Sequence, residues 1–257
     1  MSGEYRGVID LHNKNAAITG ASSGIGKEIT LTLAKEGCNV ALLARSRDAL
    51  ENLASECTKL GVKAHVIICD MSSKQSVDDA CKQIGQLFQN KLHILINNAG
   101  ISGEHVSSIE EKTSSGKDVV DMWEEVMNVN LVNLMRITGR CLPMMKECKH
   151  GAIITISSLA AVMTSAKTAQ YNASKWGVNG FLGAIYEDVR EYGIKVCSIM
   201  PGFVNTPMLD TDAMKLNADK CIQSEDIAEG VLYIIRTPYS VCPTEIKYRP
   251  QYTPYTK

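Results

Sequence analysis

With 257 residues and a formal net charge of -1, the chain is long enough for one α/β unit and too evenly charged to present an electrostatic footprint for nucleic acid or an anionic membrane. Hydrophobic residues make up 45% and aromatic residues 5%, so an aliphatic core is expected, of the kind that parallel strands buried on both faces require. Nine cysteines without a C-x-x-C pair and five histidines without H-x-x-x-H spacing argue for free thiols in a reducing, cytoplasmic setting and against a disulfide framework or a metal site.

The polar stretch of about residues 1–13 lacks the apolar centre of a signal peptide, and no run approaches the length of a membrane span. From there, short β-branched runs alternate with longer amphipathic ones, the pattern of βαβ units. Asn15–Thr19 reads as the first strand, Gly26–Lys35 as a helix stopped by Gly37, Asn39–Ala44 as the second strand, and Asp48–Leu60 as a helix stopped by Gly61. His65–Cys69 (strand), Ser73–Phe88 (helix) and His93–Asn97 (strand) follow. Ser102–Lys117 reads as a polar, serine-rich insertion, a mobile flap or a solvated loop. A long helical region, Asp118–Met145, leads to the strand Gly151–Ser157. Thr168–Tyr192 (helix), Lys195–Met200 (strand), Ser224–Ile235 (helix) and Glu245–Tyr248 (strand) complete the chain. Without repeats or linkers, the expectation is one domain over 1–257: a doubly wound, seven-stranded parallel sheet with helices on both faces.

After the first strand comes Thr19-Gly20-Ala21-Ser22-Ser23-Gly24-Ile25-Gly26. Glycines allow backbone to approach an anion, and the helix that follows turns its positive N-terminal end toward it, so a dinucleotide pyrophosphate is the expected guest. The second strand ends in Ala44-Arg45-Ser46-Arg47, where a carboxylate would otherwise accept from the ribose 2′-hydroxyl of NAD. Arg45, with Ser46 as a second donor, suits the 2′-phosphate, which favours NADP(H); the alternative is that Arg45 and Arg47 only solubilise a helix start. Asp70, in Cys69-Asp70-Met71, is a candidate acceptor for the adenine amino group or a cap for the next helix. Asn98, Ala99 and Gly100 close the fourth strand with small residues against which a cofactor can lie, or form an ordinary asparagine-rich turn.

Ser157 and Ser158 end the fifth strand, Tyr171 follows Ser158 by 13 residues, and Lys175 follows Tyr171 by four, one helical turn. A lysine ammonium beside a phenol is expected to lower its pKa toward working pH, which makes tyrosine usable as an acid or base. Ser158 would hold the substrate oxygen near Tyr171, with Ser157 as its main rival; adjacent strand residues point to opposite faces, so the two cannot serve equally, and the spacing to Tyr171 chooses Ser158. A Tyr-x-x-x-Lys pair alone is commonplace on helices. Its weight comes from the glycine loop, Asn97–Gly100, Ser158, Tyr171/Lys175 and Pro201-Gly202 falling in order at strand ends, where open α/β sheets bind ligands.

With these motifs the sequence closely resembles the short-chain dehydrogenase/reductase family, in its compact single-domain, Rossmann-like branch. The resemblance implies that Tyr171 is the general acid/base, that Lys175 binds the nicotinamide ribose and lowers the tyrosine pKa, that Ser158 orients the substrate and that Asn130 supports a proton-relay water. It assigns the segment Pro201-Gly202-Phe203-Val204-Asn205-Thr206 to the nicotinamide carboxamide, with Val204 and Thr206 as contacts, and implies a homo-oligomer, tetramer or dimer, packed through the helices around Asn130 and Tyr171. Two features depart from the family's pattern: the insertion at 102–117, and an ending without the usual glycines. Cys242–Tyr248 is similar instead to the ending of members that act on serine or hydroxy acids and of carbonyl reductases.

The expected function is therefore NADP(H)-dependent hydride transfer between the nicotinamide and a small carbonyl or alcohol, such as a 3-hydroxy acid, a ketone or a 3-oxoacyl compound. Val162, Met163, Phe203 and Met208 are candidates for an apolar substrate pocket or for plain core filling. The competing expectation is a non-catalytic NADP(H)-sensing or scaffold protein on the same fold, against which intact Ser158, Tyr171 and Lys175 weigh.

Overall fold

The computed structural model describes residues 7–256; residues 1–6, the first part of the polar N-terminal stretch, and residue 257 lie outside the described residues. The elements in chain order are β1 (Asn15–Thr19), α1 (Gly24–Lys35), β2 (Asn39–Ala44), α2 (Arg47–Lys59), β3 (Ala64–Ile68), α3 (Lys74–Leu87), β4 (Ile94–Asn97), α4 (Val119–Met127), α5 (Asn133–Lys146), β5 (Gly151–Ile156), α6 (Ala169–Val189), β6 (Ile194–Pro201), α7 (Ser224–Arg236) and β7 (Glu245–Tyr248). All seven strands are parallel, in the order β3-β2-β1-β4-β5-β6-β7. The order reverses direction between β1 and β4, and such a switch point opens a crevice at the carboxyl ends of the strands. Most boundaries lie within one residue of those expected; α1 begins at Gly24 rather than Gly26, and β3 and β5 stop one residue earlier.

Strand residues alternate strictly between two cores. Ile18, Val40, Leu42, Ile94, Ile96 and Ile154 pack with Ile29 and Leu33 of α1, Leu50 of α2 and Ile227 of α7. Their strand neighbours Ala17, Ala41, Leu43, Leu95 and Ile153 pack with Val77 of α3, Ile137 of α5 and Val178 of α6 on the other face. Burying each large aliphatic chain contributes about 1.5–3 kcal/mol, so both faces demand helices and the sheet cannot present a bare side.

Three local features depart from the expectations. The long helix expected over 118–145 contains a π turn, Asn128–Val132, between α4 and α5. The N-terminal stretch is part of the core from Ile9 onward: Ile9 and Leu11 are buried, and the Tyr239 hydroxyl donates to the Val8 carbonyl at 2.8 Å. The helix α3 is capped by Ser73, whose Oγ accepts from Ser76 N, and not by Asp70, which closes its own turn by accepting from the amide and hydroxyl of Ser72 at 2.9 and 2.8 Å. The nine cysteines are unbonded to one another, seven of them buried. Among the described residues no helix is long and apolar enough to cross a membrane, and no three His, Cys, Asp or Glu side chains gather as a metal site.

Candidate active site

The loop after β1 is shaped by its glycines. Gly20 and Gly24 have φ of +65° and +53°, conformations that other residues adopt at a cost, and a Cβ on Gly26 would stand 2.2 Å from the Gly20 carbonyl oxygen. The loop is stitched to β4 from one side: Thr19 Oγ1 accepts from the amides of Asn98 and Ala99 at 2.9 and 3.1 Å, and Asn98 Nδ2 donates to the Thr19 and Gly20 carbonyls at 3.0 and 3.1 Å. Ser23 stands at the N-cap of α1 without a side-chain cap, so the first-turn amides of α1 keep their donors for an anion. Ser22 and Ser23 flank this mouth, whereas Ile25 turns inward onto the core.

Arg45 is exposed beside the end of β2 and, among the described residues, has no carboxylate within ion-pair distance. Arg47 differs: it pairs with Glu51 at 3.5 Å on the surface of α2, the solubilising role considered for both. Ser46 is the N-cap residue of α2 and makes no side-chain cap, leaving its hydroxyl free beside Arg45. The Asp70 carboxyl is held below the usual range, chiefly by the Ser72 amide and then by the Ser72 hydroxyl and Arg45. Met71 is buried, and its carbonyl accepts from Asn133 Nδ2 at 2.9 Å, while Asn128 Nδ2 donates to the Ser72 carbonyl at 2.9 Å. Two asparagines bounding the π turn thus clamp the loop that leaves β3.

Asn130 lies inside that π turn, a helical irregularity that often marks a functional position. Its amide is engaged at both ends with Ile101, accepting from the amide and donating to the carbonyl, each at 2.8 Å. Nδ2 also donates to Ser174 Oγ at 3.2 Å, and Ser174 in turn donates to the Tyr171 carbonyl at 2.8 Å. A Cβ on Gly100 would lie 3.2 Å from Asn130 Oδ1 and 3.8 Å from Lys175 Nζ, so Gly100, Asn130 and Lys175 converge at one point.

Helix α6 carries Tyr171 and Lys175 on one face, and Ser158, two residues beyond β5, stands close enough to the Tyr171 hydroxyl to temper its pKa. Ser158 is the residue that reaches Tyr171; Ser157 is buried with its hydroxyl unpartnered. Ser158 Oγ also accepts from Ala160 N at 3.1 Å, which fixes its rotamer at the start of a short 3₁₀ turn, Leu159–Ala161. Lys175 is buried and donates to the Ile156 carbonyl at 3.2 Å, with Nζ 5.6 Å from the centre of the Tyr171 ring.

The expected lowering of the phenol by its lysine is not what this arrangement produces. Burial pushes the Tyr171 hydroxyl above its ordinary value, offset in part by the neighbouring Ser158 hydroxyl, and burial pulls Lys175 down to about 8. The lysine ammonium is aimed at a backbone carbonyl rather than at the phenolic oxygen, so desolvation outweighs the attraction expected between them. A protonated tyrosine beside a lysine brought down to about 8 suits donation of a proton better than its removal.

The segment after β6 closes the crevice. Pro201 is buried, Gly202 N donates to the Tyr248 carbonyl at 2.9 Å, and a Cβ on Gly24 would stand 3.2 Å from the Thr206 methyl, so this segment meets the glycine loop directly. Val204 is buried in the core, which leaves only its backbone toward the crevice. Of the four candidates for an apolar pocket, Met163 and Met208 are 56% and 58% exposed, which rules out core filling for these two; Val162 and Phe203 are half-buried. The insertion is tied down rather than loose: Glu104 accepts from Ser114 and Ser115, Thr113 is buried, and Gln170 donates to the backbone at 102 and 104. Gln170, Asn172 and Ser174 were not picked out in the sequence, because their partners lie at distant positions in the chain or in the turns of an irregular loop.

The family model described as short chain dehydrogenase matches residues 14–217. An uncharacterized oxidoreductase of Staphylococcus aureus (strain N315) is 33% identical over 240 residues, covering 93% of this chain and 98% of its own. Among solved structures, an alcohol dehydrogenase from the archaeon Thermococcus sibiricus complexed with 5-hydroxy-NADP is similar at a TM-score of 0.81 and 25% identity, covering 96% of this chain and 100% of the other. A metagenomic short-chain oxidoreductase in complex with NADP is similar at 0.78 and 27%, covering 95% and 100%. The chain belongs to the short-chain dehydrogenase/reductase family of NAD(P)-dependent oxidoreductases.

Proposed function

We propose that the protein is an NADP(H)-dependent reductase of small carbonyl compounds, working in reverse as an alcohol dehydrogenase, with Tyr171 as the group that exchanges the proton. The observation that carries this reading is the Tyr171 hydroxyl beside Ser158, kept protonated by burial, with the buried Lys175 Nζ 5.6 Å from the centre of its ring. The residues present fit the cofactor: uncapped first-turn amides of α1 for the pyrophosphate, Arg45 and Ser46 for the 2′-phosphate, Asp70 and Met71 beside the adenine, and Asn98, Ala99 and Gly100 as a smooth wall. Pro201, Gly202, the Val204 backbone and Thr206 would hold the carboxamide end. NADPH, when bound, supplies the hydride taken up by the carbonyl carbon.

The chain's own part is to place the oxygen and balance its charge. Tyr171 gives its phenolic proton to the carbonyl oxygen as negative charge develops there, and Ser158 donates a hydrogen bond to that oxygen. Lys175, charged below pH 8, stabilises the tyrosinate left behind and faces the ribose position. Asn130 holds the Ile101 backbone and Ser174 rigid around Lys175, and the path by which Tyr171 recovers a proton runs past it. Ketones, 3-oxoacyl compounds and 3-hydroxy acids are the substrate classes proposed. Nine free thiols favour a reducing compartment, the cytoplasm. Exposed Val132, Met135 and Trp176, on the π turn, α5 and α6, support a homo-oligomer formed through these elements.

The test is a panel of aldehydes, ketones and 3-oxoacyl compounds followed by NADPH absorbance, with NADH in parallel. Turnover with NADPH in preference to NADH is expected. NADPH binding without turnover of any compound would instead favour a cofactor-sensing role, and equal use of NADH would overturn the role of Arg45.

A further inference from the structure

Tyr171 stands between two buried amides, Gln170 and Asn172, exposed by only 3% and 6%. Successive helix positions turn by about 100°, so residues before and after Tyr171 leave α6 on nearly opposite sides. Each amide holds a different strand exit. Gln170 Nε2 donates to the Ser102 and Glu104 carbonyls at 3.3 and 3.2 Å, drawing the start of the insertion against α6. Between those carbonyls Gly103, at φ +69°, lies so close that a Cβ would meet Met122 Sδ at 2.6 Å and Gln170 Nε2 at 3.1 Å. Asn172 Nδ2 donates to the Ala160 and Met163 carbonyls at 3.0 and 2.7 Å, while Oδ1 accepts from Thr168 Oγ1 at 2.7 Å, drawing in the turn that follows Ser158.

The Gln170 amide makes no hydrogen bond to its own helix, and the Asn172 amide bonds there only to Thr168, the N-cap residue of α6. Two carbonyls face the Gln170 amino group, which fixes the orientation of the amide, and its own Oε1 is left buried without a partner. Buried polar atoms are ordinarily satisfied, so a side chain kept at that cost points to the contacts its other end makes. The segments so held, 101–104 from β4 and 159–163 from β5, both leave the sheet at its carboxyl edge, from neighbouring strands.

We propose that Gln170 and Asn172 are positioning residues that set the separation of two walls of the substrate opening, 101–104 and 159–163, and so the size of the carbonyl compound admitted to Tyr171. This inference rests on the reading of Tyr171 as the proton donor. Gln170→Glu conserves volume but sets carboxylate oxygens against two carbonyls, and Asn172→Asp does the same against Ala160 and Met163. Gln170→Met removes the donor and the unsatisfied acceptor together, a second variant should the glutamate misfold.

Hydrogen exchange of the purified proteins, with NADPH affinity and steady-state kinetics on the best-used ketone of the panel, tests the proposal. In Gln170→Glu or Gln170→Met, exchange over 102–117 is expected to rise at least about 5-fold with 159–168 unchanged, and the reverse in Asn172→Asp. NADPH affinity should stay within about 2-fold, and KM of the ketone should rise about 10-fold with kcat within about 3-fold, discrimination between small and bulky ketones narrowing. Unchanged exchange over 102–117 in both Gln170 variants, or a fall in kcat at constant KM, overturns it. If no ketone is turned over, the proposed function fails while exchange still decides whether these amides hold the walls.

Discussion

The glycine loop and the insertion at 102–117 flank the same crevice and are built on different principles. The loop is shaped by backbone geometry, left-handed glycines and a Gly26 pressed on the Gly20 carbonyl, and the Thr19 and Asn98 side chains tie its main chain to the end of β4. The insertion has main-chain turns of its own, but its fastening to the rest of the site is by side chains, Glu104 from within and Gln170 from α6. Backbone geometry admits one shape, which suits a cofactor common to many enzymes. Side-chain anchors can be exchanged without rebuilding the fold, which suits a wall that selects substrates.

The comparison breaks first at Gly26. Gly26→Ala places a Cβ into a backbone oxygen that cannot step aside, and the displaced loop is expected to cost about 3 kcal/mol, a loss of about 100-fold in NADPH affinity by titration. Lys175→Met should lower kcat for reduction about 100-fold with NADPH affinity less affected. The pH dependence carries the sign: Lys175 is charged below about 8 and loses its proton as pH rises through that value, while Tyr171, pushed upward, stays protonated. Reduction by the wild type is therefore expected to decline above pH 8, and pH profiles of the Met variant should lack that limb.

Arg45→Ala sharpens the cofactor side: losing charge-assisted bonds worth about 1.5–3 kcal/mol should weaken NADPH about 10- to 100-fold and leave NADH unchanged. Smallest of all, Arg47→Ala removes a solvated pair with Glu51, and NADPH affinity should move by less than about 2-fold. A large effect at Arg47 would exchange the roles given to the two arginines.

Much of the fold was legible because each strand is a short aliphatic run and helices α1 and α2 are followed closely by Gly37 and Gly61; the alternation of Ile18 and Ala17 between two cores follows from the same pattern. The order of Ser158, Tyr171 and Lys175 along the chain was legible too, since one helical turn and one strand end place them. What was not legible depends on contacts between distant residues. The π turn at Asn128–Val132 has no compositional mark, and Asn130 owes its place to Ile101, 29 residues away. The helix cap passed from Asp70 to Ser73 because both residue types cap equally well on paper. The shifts of Tyr171 and Lys175 run opposite to a simple charge argument because sequence spacing does not report burial.

The central claim is that Tyr171 carries the proton while its surroundings bind the cofactor, and one paired measurement addresses it most directly. NADPH affinity and carbonyl turnover are to be measured side by side in the wild type and in Tyr171→Phe, which removes only the hydroxyl. The account predicts NADPH affinity within about 2-fold and turnover lower by about 10³-fold or more. A phenylalanine variant that binds NADPH and turns over the carbonyl at the wild-type rate would contradict it.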